Sequence, residues 1–242
     1  MHLIKLNAIP STNDFLKELI QKEFVENFTC VVAENQTKGR GQMGAVWSTE
    51  QGKNLTFSVY VENVISDIAD IYLLNVAVAV SVVKVLQQNL ISKTAIKWPN
   101  DIMADNKKLG GILIENSIKG DGSITSIVGI GLNVNQKNFE DVPTASSMAT
   151  NTDKIYDKEL VLTELLKELE NSIVSMKYHS AKLWSIYKSN LFKKNIPTVF
   201  EVEEGVRIMG IIRDVNSQGL LILEHENESR HTYNIKELKM LY

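Results

Sequence analysis

A lysine, an arginine and three clusters of glycine carry the first chemical hint in this 242-residue chain. Seven of its thirteen glycines lie in three short runs, GRGQMG (39–44), GG (110–111) and GIG (129–131). Glycine permits close backbone approach, so main chain is expected to meet something else at three separate places. The first run reads as a loop joining two strands, with Lys38 and Arg40 as its charges. Such a loop can wrap an anion through backbone N–H groups and one guanidinium; a flexible hairpin connection is the plain alternative. The run also matches the dinucleotide fingerprint GxGxxG. A Rossmann unit needs those glycines to open a helix, whereas only about ten residues, interrupted by Gly52, separate Gly44 from the next strand. Lys108 supplies a second cation just ahead of Gly110, and a fixed ammonium can stabilise charge gathering on phosphoryl oxygens. Taken alone, Lys108 in DNKK (105–108) reads as a solvated turn lysine. In KWPND (97–101), Lys97, Asn100 and Asp101 present a cation, an amide and a carboxylate suited to phosphate, adenine or Mg2+ contact. Pro99–Asn100–Asp101 is equally a good β-turn sequence.

The elements that must position these groups follow from periodicity. Residues 12–26 place Phe15, Leu16, Leu19, Ile20 and Phe24 at helical spacing. Ser11 before them and Asp14 three on resemble a capping box. FTCVVAE (28–34) and LTFSVYV (55–61) read as strands. Asp67 to Leu90 lacks a turn signal and reads as a buried helix, although VAVAV (76–80) alone would pass for a strand. TAIKW (94–98), LGGILIEN (109–116) and ITSIVGIGLNVN (124–135) read as strands, with KGDG (119–122) as a hairpin turn. Residues 158–178 set Leu162, Leu165, Leu166, Leu169, Ile173 and Met176 on one helical face, and a second helical pattern continues through Leu191. Near Asn195, Ile196 and Pro197 the pattern changes to short strands, TVFEVEE, RIMGIIRDV, LLILEHE and HTYNI, separated by Gly205 and by Ser217–Gln218–Gly219. The expectation is an α+β chain, with a mixed β-sheet and flanking helices over residues 1–195 and a small β-barrel over 196–242.

Composition narrows the class. With 44% hydrophobic and 23% charged residues the chain has a real core, which excludes disordered, collagen-like and disulfide-scaffold readings. Lys plus Arg (26) against Asp plus Glu (29) gives a net charge of −3, and neither residues 1–195 nor 196–242 are basic, so no nucleic-acid or membrane partner is expected from bulk charge. Cys30 is the single cysteine and cannot form an internal disulfide; a reducing cytoplasm fits. His2, His179, His225 and His231 are scattered without ligand spacing, so no transition-metal site is expected. The first residues lack the basic-then-apolar pattern of a signal peptide. Ile71 to Leu86 is interrupted by Asn75, Ser81 and Lys84, short of the roughly 20 apolar residues a membrane span needs.

Five strings read together go further: STN (11–13), GRGQMGAVW (39–47), KWPND (97–101), KLGGIL (108–113) and GIGLNVN (129–135). In order and spacing they resemble the catalytic core of biotin–protein ligases (biotin–[biotin carboxyl carrier protein] ligase) over roughly residues 1–195, and residues 196–242 are similar to that family's C-terminal domain. KWPND followed closely by KLGGIL is the specific element. The resemblance implies a biotin/lipoate ligase-like fold, related to class II aminoacyl-tRNA synthetases, with an SH3-like C-terminal barrel. It implies condensation of biotin with ATP to biotinoyl-5′-AMP and pyrophosphate, with Mg2+ required. Biotin then passes to one lysine of a biotin carboxyl carrier domain; a homodimer is permitted.

For individual residues, the resemblance implies that Ser11, Thr12 and Asn13 hold the ureido ring with Gln36. Arg40 and its loop neighbours Gly39, Gly41 and Gln42 cover the carboxylate and then the adenylate, while Gly111, Gly129 and Gly131 complete the biotin site. Lys108, with Arg40, is the catalytic cation. Trp47 is a platform beside adenine, and Lys97, Asn100, Asp101 and Asn133 lie near the nucleotide and its metal. The chemistry of the first group agrees, since a neutral ring with two N–H donors and one carbonyl suits hydroxyls and amides better than charges. Helix capping by Ser11 is compatible with ligand contact.

The chain departs from the family pattern at two loop positions. Gln42 stands where many members have Arg, so one cationic contact to the adenylate is missing or supplied elsewhere, and Ala45 replaces a polar or basic residue. The first helical run begins at Ser11, so an upstream helix-turn-helix and a DNA-binding role are not expected. Two other readings share some of these features. A lipoate or octanoate ligase uses the same core, but KWPND disfavours it. A non-catalytic biotin sensor would not need Lys108, Lys97 and Arg40.

Overall fold

A computed structural model of the chain describes residues 2–202 and 205–242. The first sheet is built from β1 (Leu3–Ile9), β2 (Cys30–Gln36), β3 (Leu55–Glu62), β4 (Thr94–Lys97), β5 (Asp101–Ala104), β6 (Lys107–Ile118) and β7 (Ile124–Leu132), in the order β1-β2-β3-β7-β6-β5-β4. Only β1 and β2 pair in parallel; the other ladders are antiparallel, which makes the sheet mixed.

Each face of this sheet takes its own helices. On β3, Leu55, Phe57, Val59 and Val61 alternate with Thr56, Ser58 and Tyr60, so the odd positions enter one core and the even positions face away from it. That main core is covered by α2 (Ile71–Gln88), α4 (Lys158–Ser175) and α5 (Ser180–Ser189), the short α3 (Met148–Thr152) preceding α4. Each large apolar side chain wholly withdrawn there contributes roughly 1.5–3 kcal/mol. The other face receives α1 (Thr12–Lys22), whose Leu16 packs with Val31, Tyr60 and Ile127 in a smaller core. Among the described residues one helical stretch, Ile68–Gln88, which includes α2, is by length and hydropathy apolar enough to cross a membrane. Its Leu74, Val78, Val82 and Leu86 are instead buried among the helices and sheet.

The C-terminal strands β8 (Pro197–Val202), β9 (Val206–Val215), β10 (Leu221–His225), β11 (Arg230–Tyr233) and β12 (Leu238–Leu241) form a second, antiparallel sheet in the order β11-β10-β9-β8-β12. Its side chains join the main core through Phe200, Ile212, Val215 and Leu223. The sheet is seated on the first one at its turn. Gly219 (φ +85°) lies under the ring of Tyr72, where a Cβ would come within 2.1 Å, and its carbonyl accepts the indole N–H of Trp98 at 2.8 Å. Lys188 and Asp214 add an ion pair at 2.8 Å.

Several sequence expectations need correction. The helix expected over 12–26 ends at Lys22, and Phe24 is 85% exposed rather than part of its apolar face. The first ten residues contain a strand, β1, that period-2 spacing of Ile4 and Leu6 would have allowed but that was not expected. TAIKW stops at Lys97, Trp98–Asn100 turn, and a separate short strand, β5, begins at Asp101. Lys108 therefore lies in β6, and the hairpin turn before it is Asp105–Asn106. Strand β12 was likewise not expected. The strand TVFEVEE is seen as far as Val202; Glu203 and Glu204 lie outside the described residues.

Candidate active site

Register and alternation lay the floor of the site. Across β3, β7, β6 and β5 the ladders align Thr56 with Gly131, Gly131 with Gly111, and Gly111 with Asp101. In the neighbouring row Ser58 opposes Gly129, which opposes Leu113. Both rows lie on the face opposite Phe57, Ile112, Val128 and Ile130, which fill the main core. Two of the glycines are needed because other residues press onto the floor. A Cβ at Gly129 would stand 2.4 Å from Asn13 Oδ1, and one at Gly131 would stand 2.3 Å from the indole of Trp47. Between this floor, the first turn of α1 and the loop carrying Arg40 to Trp47 lies a cavity of about 420 Å3.

One end of the cavity is neutral and polar. Ser11 caps α1 by accepting the Asp14 N–H at 3.3 Å, which holds Thr12 and Asn13, both buried, in the first turn. The reciprocal half of the expected capping box is absent among the described residues, and the Asp14 carboxylate pairs with Arg40 instead. Thr12 donates its N–H to Gln36 Oε1 at 2.7 Å, and its hydroxyl lies 3.0 Å from that oxygen and 2.6 Å from the hydroxyl of Ser58. A backbone N–H can only donate, so the oxygen of Gln36 faces Thr12 and its amide nitrogen is left to donate elsewhere. Asn13 Oδ1 accepts from the hydroxyl of Ser58 at 2.5 Å, while Asn13 Nδ2 donates to Glu115 at 2.7 Å and to the Leu113 carbonyl at 3.4 Å.

The other end gathers cations around one carboxylate. Asp101 holds Lys108 Nζ at 2.6 Å through Oδ1 and Lys97 Nζ at 3.2 Å through Oδ2. Lys108 reaches this face because of a β-bulge. The β5–β6 pairing shifts from Ile102↔Gly110 to Met103↔Lys108, leaving Leu109 as the extra residue. In regular alternation Lys108, three positions before Gly111, would point into the core; the bulge sends Leu109 there, fully buried, and brings the Lys108 ammonium within 3.5 Å of the Cβ position of Gly111. The backbone of Lys108 is pinned on both sides, its N–H donating to Thr144 O at 2.7 Å and its carbonyl accepting from Ser146 N–H at 2.9 Å. Lys97 Nζ also sits 4.8 Å from the ring centre of Tyr242.

Arg40 stands at the rim, paired with Asp14 and, at 3.5 Å, with Glu115. Burial opposes ionisation of Glu115, but hydrogen bonds from Lys17 and Asn13 and the charges of Lys17 and Arg40 outweigh it and hold its carboxyl below the usual range. Trp47 Nε1 and Gln42 Oε1 are buried and have no hydrogen-bond partner among the described residues. Unpaired buried groups of this kind cost about 1–3 kcal/mol each, and both residues line the cavity.

Of the residues singled out in the sequence, Ser11, Thr12, Asn13, Gln36, Arg40, Gly41, Gln42, Trp47, Lys97, Asn100, Asp101, Lys108, Gly111, Gly129 and Gly131 border this one cavity. Gly39 does not: it is buried behind the loop, its carbonyl accepting the Trp47 N–H at 3.0 Å. Asn133 borders a second cavity of about 560 Å3, which shares Trp47 and Lys108 with the first, and its amide nitrogen donates to Ser146 O at 3.0 Å. Sequence reasoning missed Ser58, Glu115, Ile235 and Lys239. Ser58 and Glu115 were legible as polar residues within apolar strands. Ile235, from the turn between β11 and β12, and Lys239, from β12, also reach the cavity and gave no signal.

Fold and site together define a class, a ligase that activates a small acid with a nucleotide. Residues 6–135 match the family described as biotin/lipoate A/B protein ligase. The chain is 30% identical, over an alignment 252 positions long, to the bifunctional ligase/repressor BirA of Bacillus spizizenii, covering 96% of this chain and 72% of that protein. It is 29% identical over 197 residues to the biotin–[acetyl-CoA-carboxylase] ligase of Mycobacterium tuberculosis, covering 80% and 72%. The solved biotin protein ligase from Aquifex aeolicus in complex with biotin and ATP superposes with a TM-score of 0.82 at 25% identity, covering 99% of this chain and 98% of that one. The chain belongs to the biotin/lipoate A/B protein ligase family.

Proposed function

We propose that this chain is an ATP-dependent biotin–protein ligase acting in two steps. The biotin carboxylate attacks the α-phosphorus of ATP, forming biotinoyl-5′-AMP and releasing pyrophosphate. The amine of a carrier-domain lysine then attacks the mixed anhydride, an amide forms and AMP leaves. The observation that carries this reading is the continuity of the cavity, whose one glycine floor runs from the Thr12–Asn13–Gln36 pocket to the Lys108–Asp101 pair. In the neutral end, the free amide nitrogen of Gln36 supplies a donor for a ureido oxygen and Asn13 supplies an acceptor for a ureido N–H. At the charged end two anions must meet, and Lys108 acts by electrostatic stabilisation, without a protein nucleophile.

The remaining roles follow from the same geometry. Trp47 offers its indole to the adenine, and Arg40 exchanges Asp14 and Glu115 for the carboxylate and then the adenylate. Asp101, the one carboxylate among the described residues that line the cavity, already serves two ammonium groups. That donor set suits Mg2+ arriving with its coordination filled mainly by phosphate oxygens and water, and Asp101 would be the protein's contribution. The biotin carboxyl carrier domain of a biotin-dependent carboxylase is the acceptor partner. A cytoplasmic setting agrees with Cys30, a free thiol whose pKa burial pushes up to about 12. Lys239 brings a further cation to the cavity from the C-terminal sheet, and it takes the place of the cationic contact missing at Gln42.

The direct test is biotin-dependent pyrophosphate exchange into ATP under Mg2+, followed by labelling of a carrier domain. Exchange with lipoate and none with biotin would move the assignment to the lipoate branch, and tight biotin binding without labelling would make the protein a sensor. A separate prediction concerns the C-terminal sheet. Lys239→Ala is expected to raise KM for ATP about tenfold, the order of one charge-assisted hydrogen bond, with the biotin Kd from calorimetry unchanged. An unchanged KM for ATP would remove Lys239 from the nucleotide site.

A further inference from the structure

Glu115 is not among the residues bordering the cavity, yet it touches three that matter to it: Asn13 at 2.7 Å, Lys17 at 2.6 Å and Arg40 at 3.5 Å. We infer that Glu115 sets the hydrogen-bond polarity of the ureido pocket, by fixing which end of the Asn13 amide faces the ligand. The inference rests on the biotin reading above and adds a positioning residue to it.

Proton counting carries the argument. The two ends of an Asn amide have nearly the same shape but opposite roles, one donating and the other accepting, so a flip reverses what the side chain offers. On its outer side the Asn13 amide meets a carboxylate oxygen of Glu115 and the carbonyl of Leu113, at 2.7 and 3.4 Å, and neither can donate while Glu115 is ionised. Only Nδ2 can face them. Oδ1 is then directed over the bare backbone of Gly129 and toward Ser58, whose one hydroxyl proton goes to it at 2.5 Å while the Thr12 hydroxyl, 2.6 Å from Ser58 Oγ, supplies the proton of that contact. Flipping the amide would set two oxygens against one another at 2.7 Å in a partly buried place. Ionisation of Glu115 is secured chiefly by Lys17, which bonds it at 2.6 Å and stays when Arg40 turns to the ligand; its carboxyl lies below the usual range despite partial burial. The pocket therefore presents an acceptor, and it selects a ring N–H over an isosteric ring oxygen at that point.

A structural role for Glu115 as a bridge between α1 and β6 would weaken every ligand alike; a polarity role would change the preference between ligands. The discriminating probes are biotin and the two cyclic carbamates in which one or other ureido N–H is replaced by oxygen. Binding is measured by calorimetry on the full chain, with thermal midpoints as a check on folding. The unmodified protein is expected to reject the carbamate whose oxygen meets Asn13 by at least about a hundredfold relative to biotin, as sites built around a hydrogen bond do. In Glu115→Gln the carboxamide can turn either end toward Asn13, so Asn13 is free to flip. Biotin affinity should fall about tenfold and the preference over that carbamate should shrink by a similar factor. In the double variant Glu115→Gln/Asn13→Asp, the amide nitrogen at 115 can donate to the new carboxylate, an acceptor again faces the ligand, and both affinity and preference should return. Unchanged biotin affinity in Glu115→Gln, or equal weakening of all three ligands, overturns the polarity role while leaving the ligase reading in place. Failure of the unmodified protein to bind biotin removes that reading and this inference with it.

Discussion

Lys108→Ala is expected to lower biotin-dependent pyrophosphate exchange by on the order of 10^3, the loss seen when a preorganised charge-stabilising group is removed from a transition state. The size of the effect follows from how firmly the ammonium is held. Its backbone is pinned by Thr144 and Ser146, its side chain is held by Asp101 at 2.6 Å, and a bulge directs it onto the floor of the cavity. Alanine removes the cation but leaves the neutral pocket intact, so the biotin Kd should change by no more than a few-fold while kcat collapses. Lys108→Arg keeps the charge but cannot keep its position, because a planar fork is not interchangeable with a compact ammonium; it should recover only part of the rate. A variant that exchanged pyrophosphate at the normal rate would show that charge at the phosphorus is neutralised elsewhere, with Lys97 and Arg40 the next groups to test.

The second large effect belongs to a residue with no side chain. Gly129→Ala would place a methyl group 2.4 Å from Asn13 Oδ1 and 3.1 Å from the Leu113 carbonyl. The strand cannot retreat, since Gly129 is paired on both sides, to Ser58 of β3 and to Leu113 of β6. Asn13 must yield, and with it go its bonds to Ser58 and Glu115 in a buried place. Biotin affinity is therefore expected to fall by more than about a hundredfold, from overpacking combined with the loss of a buried hydrogen bond. Gly120→Ala is the control, because a Cβ there meets nothing within 4 Å. Calorimetry on the two variants separates the explanations: comparable losses in both would mean that glycine content, not the space over Gly129, governs binding.

Much of this was legible in the residue types and their spacing. Alternation in LTFSVYV, the helical spacing from Leu162 to Met176 and the change of pattern near Pro197 yielded strands with adjacent hairpins, covering helices and a separate group of C-terminal strands, because burial imposes those periods on any chain that folds this way; the parallel pairing that makes the first sheet mixed comes from β1, which they did not reveal. The glycine runs marked where backbone had to be approached, and their strings were specific enough to indicate the family. Tertiary structure decided the rest. Which face Lys108 occupies depends on a single unpaired residue, Leu109, and a bulge leaves no period in the sequence to read. That Ser58 and Glu115 support Asn13 depends on strand register across β3, β7 and β6, which joins positions far apart in the chain. The arrival of Lys239 at a cavity built mostly by residues before Leu132 depends on how the second sheet seats against Tyr72 and Trp98, a packing relation to which no local pattern is sensitive.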